Sequence, residues 1–248
     1  MRKKVKQLKI AYFRDKVNSF PIIKSGTWKT KNGSAELIWC LSDGKRVDCH
    51  RVNSKRGKEL VRLRDECENC KRILSKLESE WIDIYGTPCE PMKIKLYGNT
   101  ENRRRFDAFK ERCNTYESKN AVFYEGRKYK SKLEGDFAKL MDEYGIPFKY
   151  EPEVVIAGSI IKDPDFIIYL PWLDLLILVE IFGACDDVGY LDRNKLKLYN
   201  YMLDGWIPGW NMLAMYYTGK TPYVREMVME DIENMEIRKC LAILNSGD

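Results

Sequence analysis

Two periodicities of apolar residues divide the chain into readable elements. Over 58–85 the stripe Leu63, Cys67, Cys70, Leu74, Leu77, Trp81 and Ile84 keeps three- and four-residue spacing, which predicts a long helix ended by Gly86, Pro88 and Pro91. Leu133, Phe137, Leu140 and Met141 share one side of a second helix over 131–144, with Gly145 just past its end. Apolar runs predict strands at 148–156, 160–169 and 175–182, turned at Ala157-Gly158-Ser159 and Pro171-Trp172. Beyond them, 191–203 reads as a helix stopped by Asp204-Gly205, 211–217 as a buried strand and 222–244 as a final helix. A βαβ crossover after a meander predicts an α/β fold with a mixed sheet and helices on both faces.

The first part of the chain is patterned less cleanly. Residues 1–33 are basic and punctuated by Pro21, Gly26 and Gly33, which predicts short irregular elements. Strands at 35–41 and 46–52 flank the turn signal Ser42-Asp43-Gly44-Lys45. A very basic helix over 101–115 carries Arg103, Arg104 and Arg105. Charge follows the same division. Residues 1–115 hold 28 Lys+Arg against 15 Asp+Glu, and residues 116–248 hold 15 against 22. This asymmetry predicts two modules, 1–115 and 116–248, meeting near 115–127. The first is a smaller basic α+β module suited to a polyanion, with Lys55, Arg56, Arg103, Arg104 and Arg105 as its candidate contacts. The plain alternative is a well-solvated basic surface.

Composition narrows the class. A hydrophobic share of 44% with 12% aromatic suffices for a core and excludes global disorder. Met1-Arg2-Lys3-Lys4-Val5-Lys6 is charged and no apolar region follows, so a secretory signal is not expected. The most apolar run, 167–181, is broken by Pro171 and Asp174 and is too short for a span. The expected location is cytoplasmic or nucleoid-associated, with no membrane partner. In that setting the eight cysteines read as thiols or metal ligands.

Two carboxylates break apolar runs. Asp165 interrupts 160–168, and Glu180 lies inside Leu175-Leu176-Ile177-Leu178-Val179-Glu180-Ile181-Phe182. A buried carboxylate is costly unless paired, protonated or metal-bound, and two on adjacent hairpin strands can share one cation. Mg²⁺ takes one or two carboxylates plus waters and phosphate oxygens. The competing reading puts both at strand ends facing water.

These residues and the element order resemble the PD-(D/E)XK nuclease superfamily over roughly residues 128–219. Pro164-Asp165-Phe166 matches the PD element, Glu180 the second acid, Ser131-Lys132-Leu133-Glu134 the opening helix, and Tyr150-Glu151-Pro152 the strand after it. The resemblance implies an αβββαβ restriction-endonuclease-like core. It also implies Mg²⁺ or Mn²⁺ at Asp165 and Glu180, with Glu134 supporting the metal or its waters. The family's lysine two residues after the second acid is absent, since Phe182 stands there. The segment 197–205 resembles the variant in which that lysine has migrated to the following helix. Lys197, four residues before Tyr201 and eight before Gly205, is then the candidate, with Lys195 as runner-up.

Cys67-Glu68-Asn69-Cys70 has metal-knuckle spacing, and Cys40, Cys49 and His50 lie on the expected hairpin. Four of these five would complete a tetrahedral Zn²⁺ site. Residues 37–57 resemble small treble-clef or zinc-ribbon modules that accompany nucleases, although Lys45 stands where their second ligand commonly falls. The competing reading places Cys67 and Cys70 in the helix's apolar stripe as core thiols.

The expected function is a metal-dependent endodeoxyribonuclease of restriction, homing, repair or mobile-element type, whose partner is DNA. A homodimer is the form that would cut both strands. The alternatives are a non-catalytic DNA-binding protein on a degenerate nuclease fold and a zinc-dependent regulator.

Overall fold

The computed structural model describes residues 1–31, 34–44, 47–92, 100–112, 118–156, 158 and 160–246. They form a mixed α/β protein in two compact units, one of Lys9–Met92 and one of Met1–Leu8 with Lys93–Asp248. No helix among the described residues is long and apolar enough to cross a membrane.

The smaller unit holds most of α1 (Arg2–Ser19), then β1 (Ile22–Lys31), β2 (Ser34–Ser42), β3 (Val47–Arg51) and α2 (Lys55–Tyr85). Where irregular structure was expected over 1–33, a helix and a strand stand instead. Ile10, Ala11, Tyr12 and Phe13 are consecutive and all buried, so α1 lacks the one-sided stripe that reveals a surface helix. Ile10 packs with Trp81 and Cys89, bordered by Leu74, Leu77 and Tyr85. Arg14 Nε meets Glu78 Oε1 at 2.7 Å and Lys16 Nζ meets Glu66 Oε1 at 3.0 Å. The partners run in opposite order, so α1 lies antiparallel to α2.

The expected hairpin is present, with Cys40 opposite Cys49 and Ser42 opposite Val47; Lys45 and Arg46 fall outside the described residues. The edge strand β1 extends it to a three-stranded antiparallel sheet. Ser54 caps α2 by accepting from the Gly57 N–H, and Gly86 closes it in the left-handed region at φ 71°. A Cβ at Gly57 would meet the Arg51 carbonyl at 1.9 Å, so only glycine lets α2 start against the end of β3.

The larger unit contains α3 (Glu101–Ala108), β4 (Val122–Tyr124), β5 (Arg127–Tyr129), α4 (Lys132–Glu143), β6 (Phe148–Tyr150), β7 (Val154–Ile156) and β8 (Ile160–Lys162). It continues with β9 (Phe166–Leu170), β10 (Leu175–Phe182), α5 (Val188–Leu203), β11 (Met212–Tyr216) and α6 (Arg225–Ser246). Its main sheet has the order β11-β10-β9-β6, with β10 and β11 parallel and the other pairs antiparallel. Every residue of β9 and β10 is buried. Ile167, Tyr169, Leu176 and Leu178 pack with Phe106 of α3 and Tyr201 of α5. Strand alternation turns Phe166 to the other face, where its ring lies 4.8 Å from Phe137 of α4.

Three expectations change here. The strands at 148–156 and 160–169 are each broken, at Glu151-Pro152 and Asp163-Pro164-Asp165, and the outer pieces β7 and β8 pair separately. Prolines donate no ladder bond, and Glu151 takes φ 45°. The helix expected over 101–115 ends at Ala108; residues 113–115 lie outside the described set, as does Cys113. Residues 110–112 pair instead with the segment after β6, through Glu153 N to Lys110 O at 2.9 Å and Arg112 N to Glu151 O at 3.0 Å. Finally, the smaller unit closes at Met92 and not near 115. The arginine-rich α3 groups with the larger unit because Phe106 is buried on its sheet.

Candidate active site

The β9–β10 register pairs Phe166 with Val179, and one step further along it sets Asp165 opposite Glu180. Glu180 shares the strand face of Leu176 and Leu178, the face covered by α5, and is buried. From α5, Lys197 Nζ reaches Glu180 Oε2 at 2.7 Å, and one helical turn later the Tyr201 hydroxyl donates to Oε1 at 2.8 Å. Asp165 keeps part of its surface accessible, and its Oδ2 accepts from the Ile181 N–H at 2.6 Å.

The charge balance follows from this packing. Burial, then the neighbouring Glu180, pushes the Asp165 carboxyl well above the usual carboxylate range, against the pull of Lys197. Burial also raises Glu180, which Lys197 and Tyr201 only partly offset. Burial alone would lower Lys197, but the carboxylates of Glu180 and Asp165 outweigh it and leave the ammonium firmly charged. Two carboxylates therefore share one lysine.

Glu134 adds a further negative charge that raises both Asp165 and Glu180. It sits in the first turn of α4 and is buried. Ser131 caps that helix and donates from its hydroxyl to Glu134 Oε1 at 3.0 Å. Lys130 N–H and the Tyr150 hydroxyl donate to Oε2 at 3.0 and 2.5 Å. Glu134 is thus both a helix-start residue and the third carboxylate of the neighbourhood.

Sequence reading missed several positioning groups. The backbone N–H of Glu151 donates to the Asp165 carbonyl at 3.0 Å, while its buried carboxylate pairs with Lys130. A non-glycine residue at φ 45° costs about 1–3 kcal/mol, and these bonds hold it there. Tyr190 lies beside the site as well: burial raises its hydroxyl, and the Gly183 backbone, Asp165 and Lys197 also act on its titration. The available signal was helical spacing, since Tyr190, Lys197 and Tyr201 share one face of α5. Lys195 points elsewhere. It is exposed and pairs with Asp192 at 2.6 Å.

Asp165 and Glu180 are hard oxygen donors of the type Mg²⁺ takes; Glu180 has both oxygens on protein donors, and Asp165 as a residue is partly accessible. The thiols do not fit the expected zinc site. Cys40 and Cys49 meet, with Sγ atoms 2.8 Å apart. However, Arg64 of α2 lies over the Trp39 ring at 4.3 Å, so odd-numbered β2 side chains face α2 and Cys40 faces away. Cys49, opposite Cys40, shares that far face, while His50, opposite Trp39, is on the α2 side. Cys70 is a buried thiol beside Lys16 and Glu66, raised by burial, and Cys67 is half-buried. Among the described residues no three His, Cys, Asp or Glu side chains form a group able to hold a metal ion.

The expected DNA contacts divide in two. Arg104 and Lys55 are exposed. Arg56 pairs with Glu59 at 2.7 Å, and Arg103 pairs with Asp107 at 2.8 Å. Arg103 and Arg105 also lie over the rings of Tyr169 and Trp206, at 5.7 and 5.8 Å, and so help seat α3. No family model, no curated protein and no solved structure matches this chain.

Proposed function

We propose that the protein is a Mg²⁺-dependent DNA endonuclease on a restriction-endonuclease-like αβββαβ core. The observation that carries this reading is the triad of Asp165, Glu180 and Lys197. Two acids on adjacent strands share a single helix-borne lysine, whose Nζ lies 2.7 Å from Glu180. In this reading Asp165 and Glu180 hold the cation, which when bound would polarise the scissile phosphate and offset its developing charge. Lys197, charged and fixed in place by Glu180, orients the attacking water and offsets the negative charge that builds during attack. Tyr201 anchors the other Glu180 oxygen and Glu151 fixes the Asp165 backbone, so both acids keep their aim. Glu134 tunes the charge of the pair from α4. Cationic side chains such as Arg104 and Lys55 would contact the phosphate backbone. A homodimer would present two such sites to a duplex.

One observation favours a non-catalytic DNA-binding protein on a degenerate fold: both Glu180 oxygens are already bonded to protein donors, and Phe182 replaces the expected lysine. The same experiment decides between them. Plasmid DNA is incubated with the protein in Mg²⁺, in Mn²⁺ and in EDTA, beside Asp165→Asn and Glu180→Gln. Metal-dependent nicking by the wild type alone supports the nuclease. DNA binding with no nicking in any cation supports the degenerate reading.

A further inference from the structure

The smaller unit presents a cleft of about 370 Å³ lined by Trp28, Glu36, Leu37, Arg51, Val52 and Asn53. Its floor runs across β1 and β2 to the residue just after β3. Trp28 of β1 is opposite Leu37 of β2, and the Val52 N–H bonds to the Leu37 carbonyl at 3.0 Å. Arg51 Nε holds Glu36 Oε2 at 2.8 Å on the sheet face opposite Trp28 and Leu37, and both residues also line the cleft. Asn53 lies in the corner that Gly57 lets α2 press against β3, which fixes its place relative to the sheet.

Trp28 is 71% exposed on the edge strand. By contrast Trp39, Trp81, Trp172 and Trp206 are buried. An indole face left open to water beside an apolar floor and a side-chain amide suits a flat heterocycle with hydrogen-bonding edges. The surrounding charge selects the rest of the ligand. Residues 47–58, which contain the Asn53 corner, hold four Lys+Arg against one Asp, and Lys55 and Lys58 follow that corner directly. Aromatic stacking beside basic side chains is how proteins hold nucleotides whose bases are unpaired, because in a duplex the base faces are covered.

We infer that this cleft binds an unpaired nucleotide of a single-stranded or locally opened nucleic acid, with the base stacked on Trp28 and its edge near Asn53. The inference deepens the nuclease reading by naming the form of nucleic acid the smaller unit grips. It is tested by binding, so the two can fail separately.

The test uses the full-length protein in EDTA and follows tryptophan emission and anisotropy with a labelled oligonucleotide. A single-stranded oligonucleotide should quench the wild type. Trp28→Phe should keep most of the affinity and lose the quench. Trp28→Ala should weaken single-strand binding by roughly 5- to 150-fold, the range of one lost base–aromatic stack, and change duplex binding far less. Circular dichroism should be unchanged, because the side chain is exposed. A quench that persists in Trp28→Phe would assign it to Trp210, the other exposed tryptophan, and overturn the inference. So would equal single-strand affinity in Trp28→Ala. A mononucleotide that bound as tightly as the oligonucleotide would overturn the strand as ligand. Trp28-dependent binding in a protein that never nicks plasmid would sink the nuclease reading and leave this one standing.

Discussion

Lys197 and Glu180, seventeen residues apart on α5 and β10, meet at 2.7 Å, while Lys195, two residues earlier, turns outward to Asp192. Removing the inner ammonium should therefore stop the chemistry, and removing the outer one should not. Lys197→Ala is expected to lower the cleavage rate by roughly 10²–10³-fold, the range of a lost charge-stabilising donor. Lys195→Ala should stay within a few-fold of wild type. Single-turnover plasmid nicking measures both, and equal losses would remove the special role of Lys197.

The acid pair makes a prediction about stability that needs no cleavage. An acid whose folded pKa is raised contributes stability that is full below its unfolded pKa and is lost as pH rises through the folded value. Asp165 is raised by burial and by Glu180, with Lys197 opposing; Glu134 and the Ile181 N–H also act on it. In EDTA near neutral pH, Asp165→Asn should thus melt above the wild type, and the gap should shrink toward about pH 4. Mg²⁺ should raise the melting temperature of the wild type and leave that of the variant nearly unmoved. Thermal melts across pH check this, and a gap that widened toward acid would contradict the assignment.

Two arginines of α3 should separate. Arg104 is exposed, so Arg104→Ala should weaken DNA binding, flatten its salt dependence by about one unit of slope and leave the melting temperature alone. Arg103→Ala should also destabilise the fold, since its guanidinium pairs with Asp107 and lies over Tyr169. Salt titrations beside denaturant melts distinguish them. Identical behaviour of the two variants would mean that α3 is not seated as described.

The thiols should respond as separate sites. In the native protein Cys49 is exposed and should label quickly with a maleimide, Cys67 at an intermediate rate, and Cys70, Cys89 and Cys240 only on unfolding. Peptide mapping after timed labelling reads this directly. Joint protection of Cys40, Cys49, Cys67 and Cys70 by added zinc would restore the four-ligand site that the strand faces speak against.

Much of the architecture was legible because its causes are local. The 58–85 stripe, Gly86 and the Asp43-Gly44 turn act within a few residues, and α2 and the β2–β3 hairpin follow them closely. Glu180 stood out for the same reason, as one charge in a run of eight otherwise apolar residues. The cysteine pairs were equally visible as spacings. Which sheet face Cys40 would take relative to α2 was not, because strand alternation leaves the choice to whatever packs above Trp39. Helix α1 escaped notice since Ile10 through Phe13 is a run without a period, helical because Trp81 and Cys89, some seventy residues away, cover it. Likewise the sequence determines that Lys197 and Lys195 share a helix, separated by about 200° of turn. Only the seating of α5 on the sheet through Leu198 and Tyr201 decides which of them meets Glu180. Propensity, caps and periods are written between neighbours, whereas burial and charge pairing form between segments that only the closed core brings into contact.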